Sequence, residues 1–278
     1  MPLKEFRGCR ERIMRAKTHS YAFADKWSEF LDNDPYSPVA RVDDDGRRGI
    51  WLKNAYDPMP PILSLELGEC LYNLRAALDH GVYAAAILET GQNPPPHENV
   101  LEFPICETED EFNKSRRKIK PLTGKRRLII ESVQPYKAPH LRPPVRIYSF
   151  NRSLWLLQNW AKKDRHRQLH VVGSWASNVS PMLRIPKGTT VDYFTAIEGG
   201  FLEHESKIAT FHIAGWKPGM EIDANPNLSI DIALDEIPPP AADNDTLGNR
   251  IKGIIVAVQV ITRGIEDSFL KPSPLDAS

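Results

Sequence analysis

The chain has 278 residues, of which 41% are hydrophobic and 26% are charged, and its formal net charge is zero. This composition supports a substantial core and excludes global disorder, while the balanced charge excludes a surface coated uniformly for nucleic acid or anionic membrane. Three widely spaced cysteines without a Cys-x-x-Cys pair argue against a disulfide framework or a cysteine zinc site. No apolar segment is long enough for secretion or for spanning a bilayer, so we expect a soluble cytoplasmic protein.

Four segments have the apolar spacing of long amphipathic helices. In chain order they cover residues 6–32, 61–90, 147–167 and 247–269. Pro35 ends the first and Gly91 follows the second, as expected for residues that stop helices. In the third, Ile147 and Phe150 belong to the stripe that we expect to face the core.

Shorter elements are predicted between these helices. Residues 39–42 and 50–52 flank an Asp-Asp-Asp-Gly turn and indicate a β-hairpin. Residues 108–133 suggest one or two short basic helices around Pro121. From Val171 to Leu234 the pattern changes to short β-branched or alternating runs.

Within this β-rich stretch, residues 191–197, a Glu-Gly-Gly turn and residues from Phe201 onward resemble a strand, a turn and a strand. The predicted fold class is therefore α+β, with a bundle of about four long helices and a small antiparallel β-rich section inserted before the last helix. The predicted domains are a helical bundle from 1–170 plus 244–272, and a β-rich insertion over 171–240.

The second helix contains the first cluster of candidate catalytic residues. Arg75 and Asp79 lie one helical turn apart on the face away from the core and can form a pair. His80 lies at the edge of this face, about 140° around the helix from Arg75.

The end of the third helix carries a second cluster of similar composition. Its charged and histidine residues are Asp164, Arg165, His166, Arg167 and His170. Bundles often assemble sites from side chains on facing helices, so we expect the two clusters to meet. Arg75–Asp79 could instead be a structural ion pair, and His80 a structural histidine.

A metal site is a further alternative, because His166 and His170 have the spacing of ligands on one helix face. Asp79 or His80 would have to complete it. No His-Glu-x-x-His, glycine-rich phosphate loop or Gly-x-Ser-x-Gly motif is present. We therefore predict no metal and no cofactor.

The segment Asn73-Leu74-Arg75-Ala76-Ala77-Leu78-Asp79-His80, with the later Asp164-Arg165-His166-Arg167, resembles a family of uncharacterised bacterial proteins. It is also distantly similar to the HEPN superfamily of helical bundles, many of which are metal-independent endoribonucleases with an Arg-x(4–6)-His motif. Arg75 to His80 and Arg165 to His170 both fit that spacing.

The HEPN resemblance implies cleavage of RNA by its own 2′-hydroxyl, in a defence or toxin role. Histidine would transfer protons and arginine would hold the phosphate. Asp79 and Asp164 would orient these groups. Such sites are often composite, so the resemblance also implies a possible homodimer.

A basic stretch gives separate support for an RNA partner. The predicted nucleic-acid-binding residues are Arg116, Arg117, Lys118, Lys120, Lys125, Arg126 and Arg127. A solvated helix face would have the same composition.

Two hypotheses about function therefore stand. The first is a HEPN-like endoribonuclease. The second is a non-enzymatic binding or scaffold protein in which the Arg/Asp/His face is a structural polar network.

Overall fold

The structure is a computed structural model that describes residues 1–33, 36–42, 48–54, 59–138, 149–166, 171–179, 182–196, 200–202, 207–217, 220–225, 228–234 and 246–270. It is mostly helical, with antiparallel strands before the last helix, which confirms the predicted fold class at this coarse level. The chain divides into two compact units. Unit 1 comprises Met1–Ala24, Ser64–Leu169 and Gly248–Ser278, and unit 2 comprises Asp25–Leu63 and His170–Leu247.

The described residues form six α-helices. They are α1 (Arg7–Asp32), α2 (Pro61–Thr90), α3 (Glu109–Ser115), α4 (Gly124–Ser132), α5 (Phe150–His166) and α6 (Leu247–Leu270). The four long ones, α1, α2, α5 and α6, lie where the apolar spacing predicted them. The short helices α3 and α4 fall in the predicted basic region.

The bounds of α2 follow from its terminal residues. Pro61 occupies the first helical position, where its missing N–H costs no intrahelical hydrogen bond. Gly91 follows the last residue with φ +68°, and its N–H donates to the carbonyl of Ile87. Glycine adopts this left-handed conformation without strain, so it ends the helix.

The predicted apolar stripes are buried on α2 and α6. The buried residues are Leu63, Leu67, Leu71, Leu74, Leu78, Val82 and Ala85 on α2, and Leu247, Ile251, Ile254, Val258, Ile261 and Ile265 on α6. Phe150 was predicted to face the core but is 39% exposed. It is the first residue of α5, and helical side chains tilt toward the N-terminus, so its ring extends past the helix end. Ile147 lies outside the described residues.

Within unit 1, α1 is antiparallel to α2 and also to α6. Arg12 donates to Asn73 and His19 pairs with Glu66, so the contact positions on α1 and α2 run in opposite directions. Arg10 bonds Glu266 and Lys17 bonds Gln259, which gives the same relation with α6. These polar contacts set the register of the three helices.

The strands form three antiparallel sheets among the described residues. The strands are β1 (Tyr36–Val42), β2 (Arg48–Asn54), β3 (Val171–Val179), β4 (Met182–Arg184), β5 (Thr190–Ala196), β6 (Gly200–Leu202), β7 (Lys207–Ala214), β8 (Asp223–Asn225) and β9 (Leu228–Leu234). Their orders are β1-β2-β7-β5, β6-β3-β9 and β4-β8.

The strand pairing differs from the prediction in two places. The β1–β2 hairpin forms as predicted, but β2 also pairs with β7, so the hairpin belongs to a sheet of unit 2 and not to the helical part. β5 and β6 were expected to pair with each other, whereas β5 pairs with β7 and β6 with β3. A β-strand exposes unpaired N–H and C=O groups on both edges, and its local sequence does not specify which distant strand satisfies them.

Candidate functional site

Arg75 is the centre of a buried polar network on α2. Its Nη2 donates to Glu102 Oε1 at 2.6 Å and to the carbonyl oxygen of Phe103 at 2.6 Å. The same nitrogen lies 3.5 Å from Asp79 Oδ1, one helical turn along α2. The pairing that the sequence suggested is therefore present, but the shorter contacts go to residues 102 and 103.

Asp79 binds the same extended segment from the next turn of α2. Its Oδ1 accepts a hydrogen bond from the Phe103 N–H at 2.9 Å. Burial raises the pKa of the Asp79 carboxyl, and the charge of Arg75 and the Phe103 N–H act against this shift. Arg75 and Asp79 thus bind the C=O and the N–H of one residue, which holds residue 103 against α2.

Glu102 connects this pair to a second cation. Lys118 Nζ lies 2.6 Å from Glu102 Oε2, and the Glu102 N–H donates to the Lys118 carbonyl at 3.3 Å. Partial burial would raise the pKa of Glu102, but the Lys118 hydrogen bond and the Arg75 charge outweigh burial and lower it. Two cations and two carboxylates therefore neutralise one another. Arg75 Nη1 is buried without a hydrogen-bond partner in the described part of the chain.

His80 faces a different neighbour. Its side chain is exposed, and its Nδ1 lies 3.2 Å from where a Cβ on Gly8 would be. Gly8 is in the first turn of α1, so the lack of a side chain there gives room to the imidazole. Arg75 and His80 therefore contact different parts of unit 1 and do not converge on one point.

The seam between α1 and α2 carries polar contacts that sequence reasoning did not identify. Arg12 Nη1 donates to Asn73 Oδ1 at 3.1 Å, and its guanidinium lies 5.6 Å from the centre of the Tyr72 ring. His19 Nδ1 lies 2.7 Å from Glu66 Oε2. Only the i+3 and i+7 spacing of charged residues along α1 could have indicated a polar seam, and that spacing does not name its partners.

The second predicted cluster is described only at Asp164. Its Oδ2 would lie 2.7 Å from a Cβ on Gly68, so α5 does approach α2, and Gly68 admits the carboxylate. Gly68, Arg75 and Asp79 lie within about 20° of one face of α2, but Gly68 and Arg75 are about 10 Å apart along the axis. The side chains of Arg165 and His166, and the whole of Arg167 and His170, lie outside the described residues.

The basic stretch is partly used within the fold. Arg126 is 8% exposed, with Nε 3.5 Å from Glu89 Oε2 and its guanidinium 4.1 Å from the centre of the Phe269 ring. Lys118 belongs to the Arg75 network. The predicted nucleic-acid role for these two residues is therefore opposed by their internal contacts.

The other five predicted residues divide by exposure. Arg116 lies 3.9 Å from Glu131 and over the ring of Phe112, and Arg127 donates to the Lys120 carbonyl at 2.8 Å. Lys125 is half-buried. Arg117 and the Lys120 side chain are exposed.

Unit 2 contains an exposed acid–histidine pair that sequence reasoning missed. His212 Nδ1 on β7 lies 2.7 Å from Asp192 Oδ2 on β5, and Asp192 Oδ1 accepts from the Ala214 N–H at 3.2 Å. The register between β5 and β7 shifts at residue 192, which turns this carboxylate toward the histidine. The two residues are twenty apart in sequence, so only the strand pairing brings them together.

No group of three or more His, Cys, Asp or Glu side chains in the described ranges could bind a metal ion. Among the described helices, none is both long and apolar enough to cross a membrane. No protein-family model, no curated protein and no solved structure matches the chain significantly.

Proposed function

We propose that this protein is a non-enzymatic binding or scaffold protein, and that Arg75 and Asp79 serve as a structural clamp between α2 and residues 102–103. One observation carries the proposal: Arg75 is 8% exposed, and its Nη2 already donates to Glu102 and to the Phe103 carbonyl. A phosphate-binding arginine presents its planar fork to the ligand. In this network, one side of the fork is committed to the protein itself.

The position of His80 supports the same proposal. General acid–base catalysis needs the histidine within hydrogen-bond reach of the reacting atoms that the arginine holds. His80 lies against Gly8 of α1, whereas Arg75 lies against residues 102 and 103. The Arg-x(4)-His spacing on α2 is thus accounted for by two structural contacts.

The test combines a nuclease assay with thermal unfolding. We expect total RNA to remain intact with the wild-type protein at high concentration in EDTA. Arg75→Ala and Asp79→Ala should lower the melting temperature, because each leaves a buried backbone group of Phe103 without its partner. Glu69→Ala, at an exposed position on the same helix, is the matched control and should leave the melting temperature unchanged. RNA cleavage that disappears in a stably folded His80→Ala variant would reject the proposal.

A second candidate function rests on the approach of α5 to α2. The Asp164 carboxylate lies directly over Gly68, on the same face of α2 as Arg75. This second candidate is a HEPN-like endoribonuclease, which would use Arg165 and His170, with His166 beside them and Asp164 as orienting group. It predicts cleavage in EDTA that His166→Ala or His170→Ala abolishes and that His80→Ala leaves intact.

A further inference from the structure

The outer faces of α1 and α6 form an exposed surface that the Arg75 network does not involve. On α1, Met14 is 61% exposed and Tyr21 is 68% exposed; on α6, Val256 and Val260 are each 45% exposed. Met14 and Tyr21 are seven residues apart, and Val256 and Val260 four, so each pair forms one stripe on its helix.

The two stripes lie beside one seam. Lys17 Nζ donates to Gln259 Oε1 at 3.1 Å, which joins the antiparallel helices at this level. Lys17 is three residues from Met14, and Gln259 three from Val256, so both stripes begin about 60° from the joined residues, on the solvent side. The apolar side chains therefore flank a shallow two-helix groove.

The charged residues around this groove are mainly cationic. They are Arg7, Arg15, Lys17, Lys252 and Arg263, against Glu11, Asp25 and Asp267. Glu11 pairs with Arg7 at 2.7 Å, and Asp267 lies 3.7 Å from Arg263, so these four charges offset one another. Arg15, Lys17 and Lys252 remain, against Asp25. Arg15 is exposed and lines a concavity on α1 with Arg7, Arg10, Glu11, Met14 and Thr18. The groove thus has an apolar centre and a positively charged rim.

We propose that this α1–α6 face binds an acidic amphipathic helix of a partner protein, which would name the kind of partner for the binding function proposed above. Helix-in-groove recognition uses apolar anchors at i, i+3, i+4 and i+7 of the bound helix. Such anchors would contact the two apolar stripes on either side of the α1–α6 seam. A rim of like charge favours a partner of opposite charge and disfavours a second copy of the same positive face. The net charge of the face therefore selects an acidic helix over self-association.

The experiment uses two labelled synthetic helical peptides with identical leucine spacing, one with glutamates and one with lysines at the flanking positions. We expect the full-length protein to bind the glutamate peptide at least about tenfold more tightly than the lysine peptide, with an affinity that falls as salt rises. Met14→Asn and Val260→Asn should each weaken binding by roughly fivefold or more, as expected for apolar anchors. Leu128→Asn on α4, a 57% exposed aliphatic position outside the face, is the matched control.

Three peptide-binding outcomes would overturn this inference. They are equal binding of the two peptides, absence of binding by either, and binding that Met14→Asn and Val260→Asn leave unchanged. A dimer in light scattering that Val260→Asn dissociates would assign the face to a second copy and would also overturn it. Because the nuclease assay is independent, intact RNA together with no peptide binding would reject this inference while leaving the proposed function standing.

Discussion

Replacement of Arg75 by alanine tests the structural clamp most directly. The substitution removes two hydrogen bonds of 2.6 Å, to Glu102 and to the Phe103 carbonyl, and the 3.5 Å ion pair with Asp79. Phe103 is fully buried, so its carbonyl loses a donor where the protein surrounds it. We therefore expect Arg75→Ala to lower the free energy of unfolding.

The magnitude follows from the exposure of the partners. Removal of one partner from a buried ion pair costs about 3–5 kcal/mol. The Glu102 side chain is 41% exposed and can be solvated after the substitution, so the loss falls at or below the lower end of that range. We expect a loss of about 2–3 kcal/mol, which corresponds to a fall in melting temperature of roughly 4–12 °C for a chain of this size.

The assay is chemical denaturation followed by circular dichroism, with three variants measured in parallel. Arg75→Lys keeps the charge but loses the planar fork, so its stability should fall between those of the wild type and Arg75→Ala. Glu69→Ala should stay within about 0.5 kcal/mol of the wild type, because that side chain is exposed. If Arg75→Ala were as stable as Glu69→Ala, Arg75 would not be a structural clamp.

Three further predictions concern Glu102, Arg126 and Gly68. Glu102 has a lowered pKa in the folded state, so its ionised form stabilises the fold above the ordinary glutamate pKa of about 4.3, and this contribution is lost as the pH falls through the folded pKa. Glu102→Gln should therefore be less stable than the wild type at pH 7, and denaturation at a series of pH values should show the difference shrinking in acid. Arg126→Ala should destabilise by about 2 kcal/mol, since it breaks a buried contact with Glu89 and the stacking on Phe269, while Arg117→Ala on the exposed surface should be neutral in the same denaturation assay. Gly68→Ala should lower the free energy of unfolding more in the wild type than in an Asp164→Ala background, because the new Cβ would lie 2.7 Å from the Asp164 carboxylate. A double-mutant cycle measures this coupling, and additive effects would contradict it.

The helices were predictable because each carries its own signals. On α2, the leucine spacing, Pro61 at the start and Gly91 at the end are all local, and they fix the type, the length and the buried face of the helix. The apolar stripe of α6 likewise indicated the type, the length and the buried face of that helix. A helix satisfies its backbone groups internally, so its sequence alone determines most of its structure.

The strands were less predictable because their partners are distant in sequence. Residues 48–51 of β2 pair with residues 207–211 of β7, about 160 positions later. Nothing in the hairpin sequence indicates this pairing, which takes β1 and β2 out of the predicted helical domain. The same limit applied to the site: Glu102 lies 27 residues after Arg75 and has no pattern that marks it as a partner.

The motif on α2 shows how packing can use the polar residues of a helix. Successive helical residues are about 100° apart, so a run of eight points in every direction. Each polar residue of the motif meets a different neighbour: Asn73 meets Arg12 of α1, Arg75 and Asp79 meet residues 102 and 103, and His80 meets Gly8. Leu74 and Leu78 fill the core between them. A helix enclosed on three sides needs such a sequence in order to pack, and under the proposed structural role this requirement would account for the Arg-x(4)-His spacing. Catalysis at this motif would require Arg75, which is 8% exposed, to become accessible to RNA, so an active nuclease variant of α2 should also be a destabilised one.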